Sequence, residues 1–224
     1  PTARDIAKKF QSLYGADFGT NVDKKGEIQL IQFSADFVED KYVGNYKDLF
    51  RTVAEVMLQI ITDPCTENGG FCKSYFEQER QNNNDFIRGL KNDKKTYALL
   101  RCQEIMCADE PYGVHEMGSP EDGDGLDPVS LYAYYRDYFL WRTHIKIFVC
   151  SSSEPDALVD LIRRTVPFTE GVGEPLSFGY APARSSEVKC VTEACPVTQG
   201  KLTLGFRTGM DPRSEDFYAL AVCN

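Results

Sequence analysis

Between Phe71 and Gly113 the chain carries a helical block that most limits its fold. The segment runs through Phe76-Glu-Gln-Glu-Arg-Gln-Asn-Asn-Asn-Asp-Phe-Ile-Arg88, Tyr97 and Met106 to Asp109-Glu-Pro-Tyr-Gly113. Its apolar residues recur at helical spacing, and the Pro-Tyr-Gly triplet stops it. Two helical stretches are predicted within it, Phe71 to Leu90 and Lys94 to Ala108. Asn82, Asn83 and Asn84 are poor helix formers, so packing rather than propensity must hold the first of them.

Around this block the periodicity changes. Thr2 and Asp5 form a capping-box signal, and Ile6, Phe10 and Leu13 share one face of a first helix that Gly15 ends. Asp17–Val22 and Glu27–Ala35 read as two strands joined by the turn Asp23-Lys-Lys-Gly26, a β-hairpin. Leu49, Val53, Val56, Met57, Ile60 and Ile61 return to helical spacing, ended by Asp63-Pro64. Asp127 and Pro128 start a helix predicted to reach about Tyr138. Thr143–Cys150 alternates, with Ile145, Ile147 and Val149 on one face and His144, Lys146 and Phe148 on the other. An amphipathic helix over Glu154 to Val166 follows, stopped at Pro167. Two further strands are expected at Glu187–Glu193 and Lys201–Phe206, then a helix from near Ser214.

Strands adjacent in sequence favour antiparallel pairing, and the helices come in groups. The fold class expected is α+β, with helices packed on one face of a mostly antiparallel sheet. The expected domain organisation is a first lobe over 1–170, a linker over 171–186 rich in Gly, Pro, Ser and Ala, and the beginning of a second lobe over 187–224. A piece of a longer protein is the expectation, since a second unit starts and is cut short.

Composition narrows the function classes. A net charge of −9 disfavours nucleic acid and anionic membrane surfaces as partners. No stretch approaches the ~18 apolar residues of a membrane span. The eight cysteines fit no paired CxxC pattern, Cys102/Cys107 and Cys190/Cys195 included. Buried reduced thiols in a cytoplasmic protein are expected.

Candidate chemistry is sparse. His115 follows the Pro111-Tyr-Gly113 turn and His144 lies on a polar strand face; neither has Cys or His partners at ligand spacing. Glu121-Asp-Gly-Asp-Gly-Leu-Asp127 lacks the spacing of a calcium loop and reads as a solvated loop leading to a helix cap. Ser151-Ser-Ser153 precedes a helix, where capping is the natural role. Gly69-Gly70 reads as a turn. Tyr132, Tyr134, Tyr135 and Tyr138 fall at helical spacing with Leu131 and Phe139, as half-buried packing residues do.

Several segments, taken in order, resemble one family. Pro1-Thr-Ala-Arg-Asp-Ile-Ala7 and Leu13-Tyr-Gly-Ala16 are similar to the helix and glycine turn that follow the metal motif in insulinase/pitrilysin-type zinc metallopeptidases. Asp109-Glu-Pro-Tyr-Gly113, Gly118-Ser-Pro-Glu121 and Leu131-Tyr-Ala-Tyr-Tyr135 are similar to later segments of that family. Gln199-Gly-Lys-Leu-Thr-Leu-Gly-Phe-Arg207 resembles the opening strand of its second lobe. Leu13-Tyr-Gly-Ala16 with Lys24-Lys-Gly26 most resembles a bacterial, inactive-looking subgroup associated with aminopentanol modification of elongation factor P.

The resemblance implies an H-x-x-E-H helix whose histidines bind zinc and whose Glu is the general base. No such motif exists in the chain; the family's order would put it roughly ten residues before Pro1. It also implies a further zinc-binding Glu seven residues after an earlier one. Glu79 matches the earlier acid, and Phe86 stands where the ligand is expected. Asp85, one residue away, is turned by about 100° on a helix. No catalytic, cofactor-binding or metal-binding residue is therefore assigned, and no cofactor is expected in this chain, zinc belonging only to a longer protein with an intact upstream motif. The resemblance implies a noncatalytic peptidase-like lobe, with a peptidase-like paralogue or second lobe as partner and an extended peptide as a client. The alternative it leaves open is part of an active zinc metalloendopeptidase.

Overall fold

A computed structural model describes residues 2–44, 48–140, 143–152, 155–165, 187–211 and 213–223. The 171–186 linker lies outside them, as do Glu154, Val166 and Pro167 at the ends of the amphipathic helix. Two compact units divide the chain. One gathers Pro1–Asp23, Leu30–Gln81 and Asp122–Leu176, the other Lys24–Gln29, Asn82–Glu121 and Ser177–Asn224.

In the first unit, helix α1 (Ala3–Gln11) starts at the capping box: Asp5 N–H donates to the Thr2 hydroxyl and Thr2 N–H to the Asp5 carboxylate. Gly15, at φ +74°, reverses the chain into strand β1 (Asp17–Lys25). Strand β2 (Ile28–Asp36) pairs with it. The strands reach further into the expected tetrapeptide turn than the sequence suggests. Only Gly26 and Glu27 turn, with Gly26 at φ +61°, because a two-residue loop matches strand twist. Helix α2 (Leu49–Thr62) follows. Its first amides, Asp48 and Leu49, donate to the carboxylate of Asp40, a residue nine positions back.

The apolar faces of these elements meet in one core of Phe10, Leu13, Ala16, Val43, Leu49 and Val53. Phe18, Phe37 and Ile60 pack against it, Phe18 stacking on Phe10 at 5.0 Å.

A second strand pair, β3 (Thr66–Glu67) and β4 (Gly70–Phe71), is antiparallel, with Thr66 opposite Phe71 and Glu67 opposite Gly70. Asn68 and Gly69 turn it at φ +50° and +81°, as an Asn-Gly hairpin requires. This hairpin lies against helix α6 (Pro128–Tyr134) and the π-turn after it, Tyr135–Phe139. A Cβ on Gly70 would sit 2.8 Å from the Pro128 carbonyl, so glycine is needed for the close approach. Phe71 packs edge-on to Tyr132 and Tyr135, whose hydroxyl donates to the Ile61 carbonyl. Burial raises the Tyr135 phenol to about 12. Tyr132, Tyr135 and Tyr138 are half-buried, as their spacing implied, whereas Tyr134 is 57% exposed and only stacks on Tyr138 at 5.0 Å.

The helical block is two helices, as the two predicted stretches imply. Helix α3 (Lys73–Gly89) ends in a 3-10 turn at Leu90–Asn92, and α4 (Lys94–Met106) begins anew at Asp93. The Asp93 carboxylate accepts from the Lys95 and Thr96 amides and so caps the restart at Lys94. Part of the acidic loop is also helical, α5 (Pro120–Asp124), and Asp127 beyond it caps α6.

In the second unit, α4 and the Pro111–Gly113 turn hold the hairpin tip and the C-terminal segment. Lys24 Nζ donates to the Pro111, Tyr112 and Val114 carbonyls, and Gln29 Nε2 to the Glu116 carbonyl. Among the described residues two further helices are α7 (Pro155–Thr165) of the first unit and α8 (Asp216–Cys223) of the second.

The three remaining expected strands form no ladder among the described residues: Thr143–Cys150, Glu187–Glu193 and Lys201–Phe206. Alternation makes an extended chain, but a strand exists only beside a partner. Both faces of Thr143–Cys150 are exposed, Phe148 at 88%. In Lys201–Arg207, Leu202, Leu204 and Phe206 point to solvent while Thr203 and Arg207 turn inward.

Candidate functional site

The segment most able to carry chemistry is α3. Its start is fixed by Glu67, whose carboxylate accepts from the Lys73 amide at 2.6 Å. Buried Phe76 anchors the first turn, with the Arg80 guanidinium 5.7 Å over its ring. Arg80 also pairs with Glu77 at 2.5 Å. The asparagine run is held by packing: Asn84 is buried, and Asn83 donates to the Met117 carbonyl at 3.2 Å. The Asn84 Oδ1 finds no donor among the described residues.

Glu79 and Phe86, seven residues apart, differ by only about 20° around the helix axis and so share a face. That face is open to solvent, with Phe86 52% exposed. Asp85 is exposed and pairs with Arg88 at 3.9 Å. A phenyl ring has no lone pair for a metal, and Asp85 points elsewhere. Among the described residues no three His, Cys, Asp or Glu side chains gather as a metal site would require. The donor set therefore does not fit zinc.

The histidines do not change this. His115 Nδ1 accepts from the Met117 amide at 3.0 Å, a local turn contact. His144 is exposed on the extended segment after Thr143.

A polar cluster that sequence reasoning missed lies in the first unit. Glu39 accepts from the Ser152 amide and hydroxyl, both at 2.6 Å, and from the Ser151 hydroxyl at 3.1 Å. Lys41 Nζ stands 2.6 Å from Ser152 Oγ and 2.5 Å from Glu39. A serine hydroxyl beside a lysine amine is the geometry of an activated nucleophile. The electrostatics oppose that use. The hydrogen bond to Glu39 raises the Lys41 pKa, so the amine stays protonated and cannot act as a base. Lys41 and then Ser152 draw the Glu39 carboxyl down to about 2. The cluster is a charged clasp. Ser151 and Ser152 bond Glu39, more than a hundred residues away in sequence, while Ser153, the last residue of the expected cap, lies outside the described residues. No local motif could have announced it.

The cysteines also depart from expectation. Cys107 is buried, Cys72 and Cys102 are half-buried, and the other five are exposed. They lie on a hairpin, extended segments and a terminal helix, which offer no core face to bury a thiol.

The described residues thus define a mixed α/β fold with antiparallel strand pairs and a helix whose expected metal position holds an aromatic ring. Known proteins agree with that fold. The crystal structure of a conserved protein from Enterococcus faecalis V583 superposes with a TM-score of 0.74 and 27% identity, covering 82% of this chain and 43% of that one. Over 227 residues, taking in the whole of this chain, the sequence is 26% identical to the "Probable inactive metalloprotease YmfF" of Bacillus subtilis (strain 168). The chain spans about half the length of these relatives, 52% of the Bacillus protein. No protein-family model matches it. Among the described residues no helix is long and apolar enough to cross a membrane.

Proposed function

We propose that the chain is a noncatalytic lobe of a peptidase-like protein of the insulinase/pitrilysin type. One observation carries the reading: Phe86 stands, solvent-exposed, where the resemblance puts the last zinc ligand. The 26% identity to a metalloprotease described as inactive supports it. The finer assignment, to the cytoplasmic bacterial subgroup associated with aminopentanol modification of elongation factor P, rests on the Leu13–Ala16 and Lys24–Gly26 resemblance.

Such a lobe acts by binding. Its partner is a peptidase-like paralogue or second lobe, and its client an extended peptide. The Lys201–Arg207 segment supports this, since it lacks a ladder partner among the described residues and presents Leu202, Leu204 and Phe206 outward. Main-chain hydrogen bonds supply affinity when a strand is added to such an edge.

The test is metal analysis of the purified full-length protein together with a peptidase assay on a fluorogenic peptide library. Zinc far below one per chain and no chelator-sensitive cleavage are expected. One tightly bound zinc per chain, lost on chelation together with a peptidase activity, would overturn the reading.

A further inference from the structure

The β3–β4 hairpin holds a pair of thiols that the function above does not use. By its register, Cys65 lies directly opposite Cys72, one step beyond the Thr66–Phe71 pair. The Cys72 amide donates to the Cys65 carbonyl at 3.1 Å. The two sulfurs are 3.3 Å apart, with the Cys72 thiol donating to Cys65 Sγ. Cys65 is exposed and Cys72 half-buried, so an oxidant in solution can reach them. Directly opposed residues of an antiparallel pair have Cα atoms about 4.5–5.5 Å apart, within the range a disulfide spans. The sulfurs need approach by only about 1.3 Å to reach bonding distance.

We propose that Cys65 and Cys72 are a redox-modification site, a dithiol that closes to a disulfide and locks the start of α3. The oxidant class is a small-molecule disulfide such as glutathione disulfide. The Cys65 thiolate attacks one glutathione sulfur, the glutathione S–S bond breaks, and one glutathione thiolate leaves. Cys72 then gives up its proton and attacks Cys65 Sγ, displacing the second glutathione thiolate. Two protein thiols become one disulfide, glutathione disulfide is reduced to two thiols, and the protons pass to the leaving groups. The Cys65–Cys72 ring encloses β3, the Asn68-Gly69 turn and β4. It therefore includes Glu67, whose carboxylate caps Lys73, and ends at Cys72, whose carbonyl accepts from the Phe76 amide at 3.0 Å. Closing the ring holds both acceptors in place.

The full chain, exposed to a rising excess of glutathione disulfide, is mapped by non-reducing peptide mass spectrometry. A linked Cys65–Cys72 peptide is expected to form before any other cross-link, with two free thiols lost. Hydrogen exchange at the Lys73–Phe76 amides is expected to slow by about tenfold. In Cys72→Ser, glutathione should remain trapped on Cys65. If Cys65 and Cys72 stay free, or carry separate glutathiones while exposed Cys150 and Cys223 react, the proposal fails. The wild-type map alone decides this should the variant not fold.

Discussion

The Arg207–Glu110 pair fastens the C-terminal extended segment onto α4, and cutting it should release that segment locally. Arg207 reaches Glu110 through both terminal nitrogens, Nη1 at 3.3 Å and Nη2 closer, and Nη2 also donates to the Met106 carbonyl at 2.9 Å. The two side chains are only 13% and 14% exposed. A hydrogen bond to a charged group contributes about 1.5–3 kcal/mol, and removing one partner of a fully buried pair costs about 3–5 kcal/mol. Partial exposure places Arg207→Met near the lower range, about 2–3 kcal/mol. That energy corresponds to a roughly 30- to 150-fold rise in the population of the detached segment. Among the described residues the next side-chain hydrogen bonds that tie the segment to α4 on the N-terminal side, Glu193 with Tyr97 and Arg101, lie fourteen positions earlier, and Gly205 adds only van der Waals contact with Met106 and Cys102. Native-state trypsin cleavage after Lys201 reports this population when opening is fast relative to cleavage. A double-mutant cycle with Glu110→Gln should return a coupling of about 1.5–2.5 kcal/mol. Cleavage rates within about threefold of wild type, with a coupling below about 0.5 kcal/mol, would refute the idea that this ion pair holds the segment.

Other perturbations test the rest of the fold. Leu49→Ala, at a fully buried position in the first unit's core, should lower stability by about 3 kcal/mol, read from the urea midpoint at unchanged slope. Gly113→Ala places a Cβ 2.2 Å from the Cys107 carbonyl oxygen, so the turn must shift; a loss of about 1–3 kcal/mol is expected in the same assay. Asp93→Ala removes the α4 cap and should cost about 1 kcal/mol, seen first as faster hydrogen exchange in the first turn of that helix. Glu39 titrates near 2 when folded against an ordinary 4.5, so its contribution is present above the ordinary value and lost as pH falls toward 2. In Glu39→Gln the decline of Tm between about pH 5 and pH 2 should be shallower than in wild type.

Local chemistry was legible in the sequence, and distant partnership was not. The Thr2–Asp5 box, the Asp127 cap and the hairpin at Gly26 all formed because each is settled within four residues. The α3–α4 break was legible too: the two predicted stretches, Phe71 to Leu90 and Lys94 to Ala108, match helices over Lys73–Gly89 and Lys94–Met106 to within two residues at each end. Thr143–Cys150 and Lys201–Phe206 show the converse limit. Alternation specifies that a chain can be a strand, while the partner supplying half of its hydrogen bonds is chosen by topology. The Asp40 cap on α2 and the Glu39–Ser152 clasp escaped notice for a similar reason, since a carboxylate with a distant amide leaves no spacing signature.

The candidate site is informative because of what α3 keeps. Two features usually trade against each other on a helix: a residue suited to packing and a residue suited to chemistry. Asn84 is a polar group in a buried position, and Phe86 is an apolar group in an exposed one. The buried amide is the costly one, since it wants a partner, whereas a half-exposed ring is ordinary on a surface that also exposes Phe148 and Phe206. Exchanging Phe86 for Glu would restore an acid on the Glu79 face, yet a zinc site needs at least three converging donors, and the described residues supply no such group. Phe86→Glu in this chain should therefore leave zinc affinity unchanged in a competition titration. The physical content of Phe86 lies in what it makes available instead, an apolar contact on the outer face of a helix whose start is held by the Glu67 cap.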